Sequence, residues 1–133
     1  MEKELTLDAK FESIETLTSF VEEFLGSCGG SMKAVTQICV SLDEVVSNIV
    51  KFSRAESFTV KVALEQDSLV ASITFIDNGI PYDPLKKADP DTTLSVEERN
   101  VGGLGIFLVK RMMDDVCYSR EGDRNVLVLK KHL

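Results

Sequence analysis

Glu44 and Asn48 stand four residues apart in the run L-D-E-V-V-S-N-I-V, residues 42–50. On a helix that spacing puts a carboxylate and a carboxamide one above the other on one flank. A carboxylate on a helix is held firmly enough to orient or deprotonate a hydroxyl or a water. An amide oxygen is a hard donor of the kind Mg²⁺ accepts. Further on, Asp77 closes the apolar run V-A-S-I-T-F-I and is followed by Asn78-Gly79. Such a carboxylate can accept a hydrogen bond from the amino group of a base. The glycine would permit a positive φ and let a flat ring approach the backbone. Gly102-Gly103-Leu104-Gly105 then leads into the apolar run I-F-L-V. Successive glycine amides and the unpaired N–H groups of a helix start make an anion cradle.

In this order the three stretches describe a nucleotide site. Each also has an ordinary reading. Glu44 fits a solvated helix flank, and Asn48 a hydrogen bond to a neighbouring sheet. Asp77 fits a cap on a turn, and Asn78-Gly79 the corner of a hairpin. The glycine run is not a Walker A loop, because no Gly-Lys-Ser/Thr follows it.

The elements that must position these residues follow from the apolar spacing. Ile14, Leu17, Val21, Phe24 and Leu25 recur at helical intervals, and Gly26 and Gly29-Gly30 stop that helix. A second helix starts near Ser31 or Met32. Its stripe is Val35, Ile38, Leu42, Val45, Ile49 and Phe52, flanked by Gln37, Ser41, Glu44, Asn48 and Lys51. Phe58, Val60, Val62 and Leu64 alternate as a strand. Leu69, Ala71, Ile73 and Phe75 form the inner face of its hairpin partner across a turn at Gln66-Asp67-Ser68. Residues 85–101 read as a long surface loop, which points to function or mobility. A third helix runs from Gly105 to about Met113. Strands at Val116–Arg120 and Asn125–Lys131 close the chain, and the N-terminal L-T-L adds an edge strand. The order β-α-α-β-β-loop-α-β-β does not interleave helices with strands one by one. It therefore predicts an α/β two-layer sandwich, a mainly antiparallel sheet with helices on one face.

The 133 residues suffice for one domain, expected over 1–133, with one hydrophobic core. A formal net charge of -7 disfavours nucleic acid and anionic lipid as partners. No run is long and apolar enough to span a bilayer, and the N-terminus lacks a signal-peptide core, so the expected place of work is the cytoplasm. Cys28, Cys39 and Cys117 are scattered without metal-ligand spacing, and the only histidine is His132. That argues against a zinc site or a histidine-based triad.

On the three boxes together the chain resembles the GHKL ATPase superfamily, and within it the anti-sigma-factor serine-kinase branch of SpoIIAB- and RsbW-like proteins. L-D-E-V-V-S-N-I-V is similar to the N box of that branch, and I-D-N-G-I-P-Y-D-P to its D-x-G-x-x-[FY]-D-P box. E-R-N-V-G-G-L-G-I-F-L-V-K-R-M-M-D-D-V is similar to its glycine box and following helix, and N-V-L-V-L-K to its last strand. The resemblance covers essentially the whole chain and implies the Bergerat fold. It also implies roles. Glu44 corresponds to the base that activates the attacking hydroxyl, and Asn48 to the Mg²⁺ ligand. Asp77 corresponds to the adenine-binding carboxylate, with Gly79 beside the ring. Residues 85–101 correspond to an ATP lid in which Arg99 reaches the terminal phosphates. Gly103 and Gly105 correspond to the phosphate-loop glycines, with Gly102 and Leu104 in the same binding stretch.

The implied activity is transfer of a phosphoryl group from ATP, with Mg²⁺, to a serine or threonine of a small STAS-domain anti-anti-sigma protein. A sigma factor is an implied second partner, and a homodimer the implied assembly. Two other readings stay open. One is a nucleotide-switched binding module that sequesters a partner without transfer. The other is a detached ATP domain serving a histidine-bearing partner, although no dimerisation helices with a phospho-acceptor histidine are present. The chain departs from the branch at two points. Phe52 stands where the branch writes histidine in N-A-x-x-H-[AG]-Y, and it is expected to continue the core stripe. Only residues 53–57 join the N-box helix to the next strand, where relatives often carry a longer loop.

Overall fold

A computed structural model of the chain describes residues 2–65, 69–86 and 103–133. Its elements are β1 (Glu2–Asp8), α1 (Ser13–Ser27), α2 (Met32–Asn48), β2 (Ser57–Leu64), β3 (Val70–Asp77), α3 (Gly103–Met112), β4 (Asp115–Glu121) and β5 (Arg124–His132). A five-residue π-helical turn, Ile49–Ser53, continues α2, and a short 3₁₀ turn covers Pro84–Lys86. The five strands make one sheet in the order β1-β2-β3-β5-β4, and every neighbouring pair is antiparallel.

Alternation decides which face of this sheet is covered. Phe58, Val60 and Val62 of β2, Ala71, Ile73 and Phe75 of β3, and Leu127 and Leu129 of β5 point the same way and are buried. The helices supply the other half of that core: Leu17, Val21, Phe24 and Leu25 from α1, Ile38, Leu42, Val45 and Val46 from α2, and Ile106 and Val109 from α3. The other face is lined by residues such as Thr6 and Thr59, whose hydroxyls meet at 2.9 Å across the β1–β2 pair. The arrangement is the expected two-layer sandwich, with the L-T-L segment in the edge strand β1.

The helix ends follow their local chemistry. After α1, Gly29 takes φ 78°, and the Gly30 N–H reaches back to the Leu25 carbonyl at 3.0 Å, a Schellman closure. The Ser31 hydroxyl caps α2 by accepting from the Ala34 N–H at 3.1 Å. Lys131 places its ammonium on the Met112 carbonyl at 2.7 Å, so a cation sits at the negative end of α3.

Three local expectations change. Leu69 is 56% exposed and precedes β3, which begins at Val70, so it does not share the inner face. The third helix begins at Gly103, which places Gly103-Leu104-Gly105 inside its first turn and not ahead of it. The regular stripe of α2 ends at Asn48. Past it the wider π turn changes the angular step, and Phe52 leaves the core stripe to stack on Tyr82, with centroids 5.0 Å apart and 25° between the planes. Arg54, at φ 60°, then turns the chain out of the helix toward β2. The expected turn at 66–68 lies outside the described residues.

Candidate functional site

The site is assembled where the C-terminal end of α2, the end of β3, the start of β5 and the first turn of α3 come together. On α2, Glu44 is half-buried and Asn48 is 8% exposed. The Asn48 carboxamide forms no hydrogen bond among the described residues, so the alternative of a bond to the sheet is not realised. Its polar atoms are not among the fully buried unpartnered ones, so they stay open to the cleft, where water or a ligand can meet them. Asn48 lines a cleft shared with Val45, Ile49, Phe75, Asp77 and Tyr82. The enclosed part holds little more than a water, about 30 Å³, within a solvent-open cleft of about 360 Å³.

Asp77 reaches this cleft from the last position of β3, on the inward side of the alternation. It is 6% exposed. Its Oδ1 accepts the Gly79 N–H at 2.9 Å and the Asn125 Nδ2–H at 3.0 Å, leaving Oδ2 for a ligand. The turn-capping reading and the ligand-binding reading of Asp77 are therefore compatible, because each uses a different oxygen. Gly79 does not adopt a positive φ. It is glycine because a Cβ would stand 2.1 Å from the Ser53 carbonyl oxygen. That carbonyl is thrown toward Gly79 by the π turn, and it accepts the Ile80 N–H at 2.7 Å. Asn78-Gly79 is no hairpin corner, since β3 pairs with β2 and β5 and the chain leaves the sheet here.

Asn125 was not singled out from the sequence, yet it holds this corner together. Its Nδ2 donates to Asp77 Oδ1 and to the Ile80 carbonyl at 2.8 Å. Its Oδ1 accepts from the Tyr82 N–H at 3.2 Å, the Tyr118 hydroxyl at 2.5 Å and Arg120 Nη1 at 3.2 Å. The same Arg120 nitrogen donates to the Gly79 carbonyl at 2.9 Å. The signal was available in N-V-L-V-L: alternation puts Asn125 on the inner face with Leu127 and Leu129. A polar residue there needs partners.

Glu44 meets the glycine stretch directly. A Cβ built on Gly105 would lie 2.0 Å from Glu44 Oε2 and 2.9 Å from its Cδ. The carboxylate thus rests on the bare Cα of Gly105, in the first turn of α3. Among the described residues no group of three or more His, Cys, Asp or Glu side chains could hold a metal ion. An ion taken up through Asn48 would have to draw its other ligands from phosphates and water, the habit of Mg²⁺. The unpaired Asn48 amide fits that use.

A family model described as a histidine kinase-like ATPase domain matches residues 7–131. The chain belongs to that family. Among relatives of this ATPase domain, the serine/threonine-protein kinase BtrW of Bordetella bronchiseptica is 30% identical over 92 residues, spanning 68% of this chain and 65% of BtrW, just under two thirds of its length. The serine-protein kinase RsbW of Listeria monocytogenes is 29% identical over 127 residues, 89% of this chain and 80% of that protein. The solved RsbU and RsbW domains of Rv1364c from Mycobacterium tuberculosis superpose with a TM-score of 0.71 at 16% identity, covering all of this chain and 32% of that one. That likeness shows the fold. The two named relatives are a serine/threonine-protein kinase and a serine-protein kinase.

Within the ATPase domain, Glu44, Asn48, Asp77, Gly79 and Gly105 are gathered around one end of the sandwich. Gly103 and Leu104 share the first turn of α3 with Gly105. Arg99, Gly102 and residues 87–101 of the expected lid lie outside the described residues, as does the Leu104 side chain.

Proposed function

We propose that this domain is an ATP- and Mg²⁺-dependent serine/threonine kinase of the partner-switching type, working in the cytoplasm as one domain over 1–133. Its substrate is a STAS-domain anti-anti-sigma protein, and a sigma factor is its second partner. The observation that carries this reading is the contact of Glu44 with Gly105, with the unpaired Asn48 one helical turn from Glu44 and Asp77 across the cleft. In this reading Glu44, Asn48 and Asp77 serve as base, metal ligand and base-reading carboxylate, for the attacking hydroxyl, the triphosphate and the adenine in turn.

In the proposed reaction the substrate hydroxyl oxygen bonds to the γ-phosphorus. The bond from that phosphorus to the β–γ bridging oxygen breaks, ADP leaves, and the hydroxyl proton passes to Glu44. Asp77 Oδ2 accepts from the adenine amino group while Asn125 and the Gly79 N–H fix its other oxygen. Mg²⁺, held in part by Asn48, would supply charge neutralisation along the phosphates. Amides in the stretch Gly102, Gly103, Leu104 and Gly105 hold phosphoryl oxygens, and Arg99 contributes a cation to the terminal phosphates.

The test is incubation with γ-labelled ATP, Mg²⁺ and a STAS-domain protein encoded beside this gene. Label on a serine or threonine of that protein is expected. ATP binding with no label transferred would replace the kinase reading by that of a nucleotide-switched sequestering module. The proposed assembly is a homodimer, supported by the family resemblance and by the exposed edge strand β1. Light scattering across a tenfold dilution checks it, and a constant monomer mass with nucleotide present would refute it.

A further inference from the structure

The Glu44–Gly105 contact assigns the glycine a task beyond phosphate binding. A Cβ at Gly105 would come within 2.0 Å of Oε2, 2.9 Å of Cδ and 3.6 Å of Cγ of Glu44, so the outer half of that side chain lies along the helix where a methyl group would be. Moving either helix would disturb buried contacts. α3 is anchored by buried Ile106 and Val109, and α2 by buried Leu42, Val45 and Val46. The end of the Glu44 side chain is the only flexible part of the contact, so it is the part that a Cβ would displace.

We propose that Gly105 is a positioning residue for Glu44: its missing side chain is the slot that holds the carboxylate where it meets the substrate hydroxyl. The catalytic consequence rests on the base role proposed for Glu44, whereas the slot itself does not. Gly105→Ala is the informative variant, because it separates folding from function. Alanine is the better helix former, and the atom it strikes is the movable end of a side chain. A melting temperature at or above that of the native protein is expected, with ATP affinity retained. Phosphoryl transfer is expected to fall roughly 10²-fold, the scale of an ångström-size misplacement of a reacting group.

A double-mutant cycle tells this role from direct phosphate binding. In a Glu44→Ala background no carboxylate remains to be displaced, so adding Gly105→Ala is expected to change the residual rate by less than about twofold. An equal loss in both backgrounds, or a fall in ATP affinity, would mean that Gly105 acts on the nucleotide itself and would overturn the proposal. A second readout is independent of catalysis. In nucleotide-free protein labelled with ¹³C at glutamate carboxyls, the Glu44 resonance is assigned by its disappearance in Glu44→Gln. It is expected to move in Gly105→Ala and to stay in Gly26→Ala, where a Cβ meets nothing within 4 Å. An unmoved resonance in Gly105→Ala overturns the slot even if the protein proves to transfer no phosphoryl group.

Discussion

Replacing Asp77 by asparagine tests the base-binding end of the site with little change of shape. In the native corner Oδ1 accepts two hydrogen bonds, from the Gly79 N–H at 2.9 Å and from Asn125 Nδ2 at 3.0 Å. Both donors remain in the variant, so the new amide must turn its oxygen to them. Its NH₂ then takes the place of Oδ2 and faces the cleft. Folding loses only the charge assistance of two bonds, roughly 1–2 kcal/mol in all. Binding loses more. The adenine amino group, a donor, now meets a donor. A hydrogen bond to a charged acceptor is worth about 1.5–3 kcal/mol, which corresponds to a roughly 10- to 150-fold weaker affinity for ATP. Inosine triphosphate presents an acceptor at the same ring position, so its affinity should hold or improve in the variant. Calorimetric titration with both nucleotides, alongside a thermal melt, measures the reversal. An unchanged ATP affinity in folded Asp77→Asn would refute the assignment, and so would an equal loss for the two nucleotides. Asp77→Ala is the poorer variant, because it leaves the Asn125 amide and the Gly79 N–H unpaired in a buried corner.

Gly79→Ala should behave oppositely to Gly105→Ala. Its Cβ would strike the Ser53 backbone, 2.1 Å from the oxygen and 2.8 Å from the carbon, and a backbone cannot swing aside. Overpacking of about 1–3 kcal/mol lowers the melting temperature by roughly 4–12 °C, and a melt equal to the native one would contradict the close approach. Glu44→Gln keeps the side chain's shape and removes the base. ATP affinity should persist while transfer falls about 10²-fold or more, and transfer at the native rate would exclude Glu44 as the base. Cys39 is pushed from an ordinary 9.0 to about 11, first by burial and then by the Glu22 carboxylate beside it. A raised folded-state pKa favours the folded protein at all pH below the unfolded value, and that contribution is lost as pH rises through 11. Iodoacetamide at pH 8 should therefore modify exposed Cys117 well before Cys39, and equal rates of modification would refute the shift.

Regular spacing made most of the fold legible. The alternation in β2 and β3 identified the inner face, and the glycines after α1 identified its end. The element order β-α-α-β-β-loop-α-β-β was enough to reject a doubly wound sheet. Candidate site residues stood out where a residue type was unusual for its element, as with Asn48 beside an apolar helical stripe and Asp77 closing an apolar strand. What escaped were features set by approach in space. No local rule gives the π turn at Ile49–Ser53, because helical spacing continues through Phe52 in the sequence. The reason for Gly79 was misjudged for the same cause: the requirement comes from Ser53, which meets it only in the fold. Asn125 is legible in principle, since alternation along N-V-L-V-L puts it on the same face as Leu127 and Leu129.

The π turn also shows how the two halves of the site are joined. Asn48 ends the regular part of α2, and Asp77 ends β3, and no hydrogen bond links the two side chains directly. The wider turn after Asn48 carries Ser53 to where its carbonyl accepts the Ile80 N–H at 2.7 Å, one residue beyond the turn that Asp77 caps. On the other side of that turn, Asn125 and Arg120 hold the Ile80 and Gly79 carbonyls from β5 and β4. The loop after β3 is thus clamped between the end of α2 and the sheet, and its position sets how far Asn48 stands from Asp77 across the cleft. Phe52 belongs to this clamp. By stacking on Tyr82 it packs the end of α2 against the same loop. The aromatic side chain at residue 52 therefore acts on the cleft through the loop that carries Tyr82.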